Sequence, residues 1–428
     1  MAEAGTLWRS PIFKKMSKQQ IFAICASFYV AYIVWSFSKS IFPPIFGTII
    51  PIFMLLVCIV LYPFYLVKNI SFLWSIIYVL ASLIVVCFHK LSGYGFAHGG
   101  FDTLLIEFAW VLPSIAIGGI LTKMDKHSIK TVFRTFIITF ALSLIYIVPV
   151  AMTNTSAIRS ICVANMFGQE VDHELLAYVP GFWGYTMFHI VALSLALFWG
   201  LAFHCTSFKA RITYLCLFVG AMIVVVQSCI STTQFYMIIV VVMLLWHQWE
   251  KAHTVVTVFI IIGIALVATN LNAVLDFLMD YYQGTSVVPK LIDIKDLING
   301  GTGYHSTIDG RLNYQQDALD AFYRNIFIGD TYSGGGHSII LNRLGSLGLI
   351  GFIPFILMIY YQFRQWYKLM PKISRYYFLL SWAGAALLMY SKNCFNQEGY
   401  LFICIVIPIS CLMFHEPTKS ITHRSSQK

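Results

Sequence analysis

The chain has 428 residues, of which 59% are hydrophobic and only 11% charged, with a formal net charge of +10. A soluble globule carries about 25% charged residues, so this balance excludes an ordinary soluble domain. It also makes the excess of basic residues a matter of membrane orientation, with nucleic acid excluded as a partner. Apolar runs near the length of a bilayer span recur from end to end, and they are continuous and not alternating, so they read as helices. The expectation is an all-α, polytopic membrane bundle.

Twelve segments are expected to span, at residues 20–37, 41–66, 69–88, 101–122, 131–152, 182–204, 209–229, 232–249, 253–270, 339–363, 376–391 and 399–415. The first follows a basic stretch (Arg9, Lys14, Lys15, Lys18) with no small-residue cleavage site after it, so it reads as a retained anchor. The second is long and interrupted by Pro43, Pro44, Pro51 and Pro63. Placing the amino terminus in the cytoplasm puts Lys123, Lys126 and Lys130, Lys209 and Arg211, and Arg364, Lys368, Lys372 and Arg375 on the inner side. An even number of spans then leaves both termini cytoplasmic.

Two outer segments are long, 153–181 and 271–338. The second holds Lys290, Lys295, Arg311 and Arg324 among many acidic and apolar residues. Residues 311–326 predict a short amphipathic helix with Leu312, Leu319, Phe322 and Ile326 near one face. No internal repeat and no soluble domain is evident, so residues 1–428 read as one integral membrane domain with the loop inside it. The ten cysteines contain no C-x-x-C pair, and no His/Cys/Asp cluster has metal-ligand spacing, so no metal and no cofactor are expected.

The polar chemistry concentrates between Asp309 and Gly351. His337 stands where the glycines 334–336 meet the tenth span, and Leu341, Leu344, Gly348 and Gly351 follow it at helical offsets. A histidine there can titrate near neutral pH and serve as a general base, or simply be a polar residue at the bilayer interface. Arg311 presents a fork suited to phosphate or carboxylate, with a solvated loop residue as the plain reading. Arg324 and Arg343 have the same plain reading, and Arg159 in the other outer loop is a further phosphate candidate. Gly336 and its neighbours can form a tight turn or an anion nest. Glu107, inside the fourth span and five residues beyond Asp102, is either a functional carboxylate or half of a structural pair.

The segment His337-Ser338, nine residues, then Gly348-Leu349-Ile350-Gly351 resembles the His-[Asn/Ser/Gln]-x9-Gly-x-x-Gly signature of the O-antigen ligase and polymerase superfamily. Arg311 and Tyr314, the stretch to Phe322, and Ile328-Gly329 resemble the region that precedes that histidine. The likeness is close over residues 309–351 and loose elsewhere. It implies a plasma-membrane enzyme that moves a glycan from undecaprenyl pyrophosphate to an acceptor hydroxyl on the outer face, with no nucleotide sugar and no metal. It implies His337 as the base and Arg311 as a ligand of the donor pyrophosphate, with Tyr314, Ser338 and Gly336 around them. A chain-length regulator is a partner the resemblance leaves open. One departure stands out: where family members place a Ser-Arg pair opening a mid-chain span, this chain reads Ser231-Thr232-Thr233-Gln234. The second arginine is then expected from Arg159 or Arg324, unless the donor is held differently.

Overall fold

The computed structural model describes residues 16–43, 45–92, 100–153, 185–228, 230–248, 253–284, 287–299, 307–330, 338–392 and 396–414. Among them the regular structure is helical throughout. Apart from a single turn at Ser38–Ile41, the helices in chain order are α1 (Lys18–Val34), α2 (Phe46–Leu61), α3 (Pro63–Lys68), α4 (Ile70–Leu91), α5 (Gly100–Leu121), α6 (Lys126–Thr153), α7 (Tyr185–His204) and α8 (Phe208–Gln227). They continue as α9 (Ser231–Gln248), α10 (His253–Thr269), α11 (Leu271–Tyr281), α12 (Val288–Ile298), α13 (Thr307–Arg324), α14 (Ile339–Tyr367) and α15 (Lys372–Ser391). The last, α16, covers Gln397–Leu412.

Local chemistry sets the boundaries. Ser17 and Gln20 cap α1 reciprocally, each side chain accepting from the other's backbone N–H. Asn69 accepts from Ser71 and Phe72 at the start of α4. The expected segment 41–66 divides at Tyr62, because Pro63 lacks an N–H and begins a helix of its own as the first residue of α3. Pro51 stays inside α2.

The pattern along α4 shows what surrounds the bundle. Ile70, Leu73, Ile77, Leu80, Ile84, Phe88 and Leu91 recur every three or four residues and are exposed, while Ser71, Ser75, Tyr78 and Ser82 are buried. Large apolar groups outside and small polar groups inside suit a helix packed against helices and bathed in lipid. Among the described residues five helices are long and apolar enough to cross a membrane: α4, α6, α7 from Thr186, α8 and α14. Joining Ile261–Thr269 to Leu271–Tyr281, which meet at 83°, would make six. Helices lie at all twelve expected segments, and the five or six that meet the length and apolarity of a span among the described residues make a multi-pass membrane architecture.

At the centre are α7, with 83% of its apolar window buried, and α16, buried along its whole length from Gln397 to Cys411. A helix apolar on most sides can be enclosed by helices as readily as by lipid, and α16 is enclosed by helices. A π turn at Phe402–Val406 loosens it. The Cys404 carbonyl there accepts from Gln362 Nε2 at 3.3 Å and Trp366 Nε1 at 3.1 Å, binding α16 to α14. The most extensive helix pairing is α14 on α4.

The long loop is helical too. α13 begins at Thr307, four residues before the expected start, and ends at Arg324. Among its described side chains Ala318 and Ala321 are buried while Leu319 and Phe322 are half-buried, and Ala318 backbone lies against Gly345 of α14. Small residues suit that contact because they let two backbones approach closely. Ile326 falls in the following turn and is exposed together with Tyr323 and Phe327.

Candidate functional site

The signature glycines do something the sequence pattern does not announce. α14 is broken at Gly348, whose backbone lies at φ 54°, ψ −161°. A break in a helix leaves donors and acceptors without partners, which is costly away from water. The turn that follows α13 supplies them. Leu349 N–H donates to the Ile326 carbonyl at 2.9 Å and Ile350 N–H to the Phe327 carbonyl at 3.0 Å. In return the Gly345 carbonyl accepts from Asp330 N–H at 2.9 Å. Gly329, at φ 68°, faces the break, and a Cβ there would stand 2.8 Å from Gly348 N. A Cβ on Gly348 would meet Phe327 backbone at 2.5 Å. Residues 325–330 are thus clamped onto the head of α14, and the helical stripe expected to run from His337 through Gly348 is interrupted there.

His89, at the end of α4, hydrogen-bonds the backbone of Ile328 and Gly329. Arg324 Nε pairs with Asp330 Oδ2 at 2.7 Å across the turn. Ser338 is buried and caps α14, accepting from Leu341 N–H at 3.2 Å. The clamp and the cap fix both ends of the segment that contains His337. His337 and Gly336 themselves lie outside the described residues, as does Arg159. Arg311 lies on the second turn of α13, and its side chain is outside the description; Tyr314, one turn on, is exposed.

Glu107 is buried at 4% exposure and is held by three side chains. Its Oε2 pairs with Arg343 Nη2, and its Oε1 accepts from Tyr78 OH at 3.0 Å and Tyr400 OH at 3.3 Å. The cluster joins α4, α5, α14 and α16. Arg343 Nε is buried with no partner among the described residues. Of the two readings of Glu107, this geometry realises the pairing. In sequence Arg343 reads most plainly as a solvated residue, and the structure places it in the cluster instead. The signal was depth: Arg343 lies four residues into α14 and Glu107 seven into α5, about 6 Å and 10 Å along their axes.

At the opening of α9, where the arginine was expected, a cation comes from elsewhere. Lys290 of α12 donates to Ser231 Oγ at 3.2 Å. Gln234, one turn on, donates to the Val226 carbonyl at 2.8 Å and Tyr282 OH at 3.1 Å. Arg324, one proposed substitute, is engaged with Asp330. No family model matches this chain, and no characterised protein matches its sequence. The functional reading therefore rests on the residues and their arrangement.

Proposed function

We propose that the protein polymerises a lipid-linked oligosaccharide, as in the making of O-antigen, capsule or exopolysaccharide. It takes a glycan from undecaprenyl pyrophosphate and joins it to a hydroxyl of a second lipid-linked repeat unit, without metal or cofactor. In this reading it sits in the bacterial plasma membrane with both termini cytoplasmic and its site on the extracytoplasmic face. His337 takes the acceptor proton as the new glycosidic bond forms. Arg311 and neighbouring cations stabilise the charge that develops on the departing pyrophosphate. Tyr314, on the same helix as Arg311, lines the approach.

The observation that supports this best is the clamp. It ties the helix carrying Arg311 to the head of the helix that His337 precedes, through backbone hydrogen bonds and two glycines. Two chemical groups on separate elements need that kind of fixed relation to act on one bond. A ligase passing the finished glycan to lipid A-core would use the same parts; the Ser231–Gln234 sequence, which lacks the paired arginine, favours the polymerase. The deciding experiment is the glycan profile of a deletion strain. Loss of a polymerase leaves single repeat units on the final acceptor, and loss of a ligase leaves long chains on undecaprenyl pyrophosphate. A profile unchanged from the parent strain would refute both.

A further inference from the structure

A cavity of about 440 Å³ lies between the opening of α9 and the hairpin of α11 and α12. The hairpin is held on its outer side by Lys295 Nζ and Asp276 Oδ1 at 2.5 Å. α11 turns through 83° from the last turns of α10, so the two helices do not continue along one axis. Read as the span expected at residues 232–249, α9 puts the cavity at the level where head groups meet hydrocarbon.

Its chemistry is graded with depth. Ser231 and Lys290 stand together at the head of α9. Phe235 and Ile238 follow four and seven residues on, about 6 Å and 10 Å deeper at helical rise. Both line the cavity and both are more than half exposed, at 61% and 56%, so it opens sideways into lipid. Lys290 is the one lining residue that carries a charge, and Leu291 and Ile294 of its own helix continue the apolar wall. A soluble ligand would have to enter from the hydrocarbon side. An amphiphile fits both ends: a lysine stem follows the apolar wall while its ammonium stays with the head groups.

We infer that this cavity binds one anionic glycerophospholipid of the surrounding bilayer, phosphate toward Lys290 and Ser231, with the upper part of a chain against Phe235 and Ile238. A juxtamembrane lysine contributes about 1 kcal/mol to attracting an anionic lipid, or about fivefold in affinity. The bound lipid would fix the hairpin against α9. The inference depends on the membrane placement of α9 and not on the transferase reading, so either can fail alone.

The test uses full-length protein in phosphatidylcholine nanodiscs containing a trace of a tail-diazirine phospholipid, with adducts mapped by mass spectrometry. Phosphatidylglycerol probe is expected to label the Ser231–Ile238 stretch about fivefold more than the phosphatidylcholine probe. Lys290→Glu should abolish that preference and Lys290→Arg should keep it. Ile238→Trp, at a lipid-exposed position, should fill the cavity and lower labelling by both probes. Unlabelled phosphatidylglycerol should displace the probe from wild-type protein, which covers the case of a variant that does not fold. Equal labelling by the two probes on wild-type protein would overturn the inference, leaving an ordinary lipid-facing surface. Displacement by polyprenyl phosphate at lower concentration than by phosphatidylglycerol would overturn it too, since the cavity would then serve a carrier lipid.

Discussion

Removing the Glu107 carboxylate should cost more than removing the whole ion pair. In Glu107→Ala the Arg343 guanidinium stays buried with no counter-charge, and its Nε already lacks a partner among the described residues. Breaking a buried pair on one side costs about 3–5 kcal/mol. Tyr78 and Tyr400 lose their acceptor as well, adding about 1 kcal/mol or more each. The total approaches the whole stability of many proteins, about 5–15 kcal/mol. Glu107→Gln should cost less, because an amide oxygen still accepts from the tyrosines. The double variant Glu107→Leu/Arg343→Met removes both charges at similar volume, and should recover most of the loss, as buried pairs replaced by apolar residues commonly do. The assay is the fraction of monodisperse protein in mild detergent after a temperature series, for wild type, both singles and the double. A stable Glu107→Ala protein would refute the pairing. If the double variant is stable yet inactive while Arg343→Met alone is active, the carboxylate takes part in chemistry after all.

Ala at Gly329 or Gly348 should each lower the melting temperature and detergent stability, because a left-handed backbone costs a residue with Cβ about 1–2 kcal/mol and the added atom meets the opposite backbone. Gly263→Ala, with nothing within 4 Å, is the control and should be neutral or stabilising by up to about 1 kcal/mol. His337→Ala should reduce polymer formation from lipid-linked units about 100- to 10,000-fold while donor binding persists, and Arg311→Lys should rescue Arg311→Ala poorly because the fork is lost. Full activity in His337→Ala would remove the chemistry from this segment. In a cysteine-free background, Gln283→Cys should react with an impermeant thiol reagent from outside and Lys368→Cys, an exposed position between α14 and α15, should not; the reverse would invert the proposed orientation.

Helix positions were legible because continuous apolar runs of this length leave the chain no other way to satisfy its backbone in lipid. Which of them face lipid was not, because hydropathy does not distinguish a lipid-facing helix from one enclosed by others: α16 is largely apolar and is buried from Gln397 to Cys411. The division of 41–66 was written in Pro63. The alanine contact of α13 is not legible from its amphipathic pattern, because the small residues that let Ala318 approach Gly345 carry no hydrophobic signal of their own. Arg343 drew little notice for want of a partner in sequence; its partner is on α5, far away in the chain. Lys290 reads as a loop residue in sequence, and nothing local ties it to Ser231. The break at Gly348 was invisible for a plainer reason. A Gly-x-x-Gly pattern inside an apolar run reads equally as close helix packing, and only the turn at 325–330 reveals that these glycines turn the backbone.

A broken membrane helix beside buried charges is also what a transporter would show, and the state of the break discriminates. In transporters, unwound backbone and half-helix ends are left to hold ions or substrate, and they change partners as access alternates. Here the freed groups at 345, 349 and 350 are taken by the protein's own turn at 326–330, through hydrogen bonds of 2.9–3.0 Å, and His89 backs that turn. Groups so engaged can neither bind a cargo nor exchange partners without undoing the clamp. Amide hydrogen exchange reads this directly. The Leu349 and Ile350 amides should be protected to nearly the level of the buried stretch around Phe355, with and without a lipid-linked oligosaccharide present. Protection that falls by an order of magnitude or more when that lipid is added would mean that the clamp opens in use, and the fixed-site transferase reading would give way to one in which α13 moves against α14.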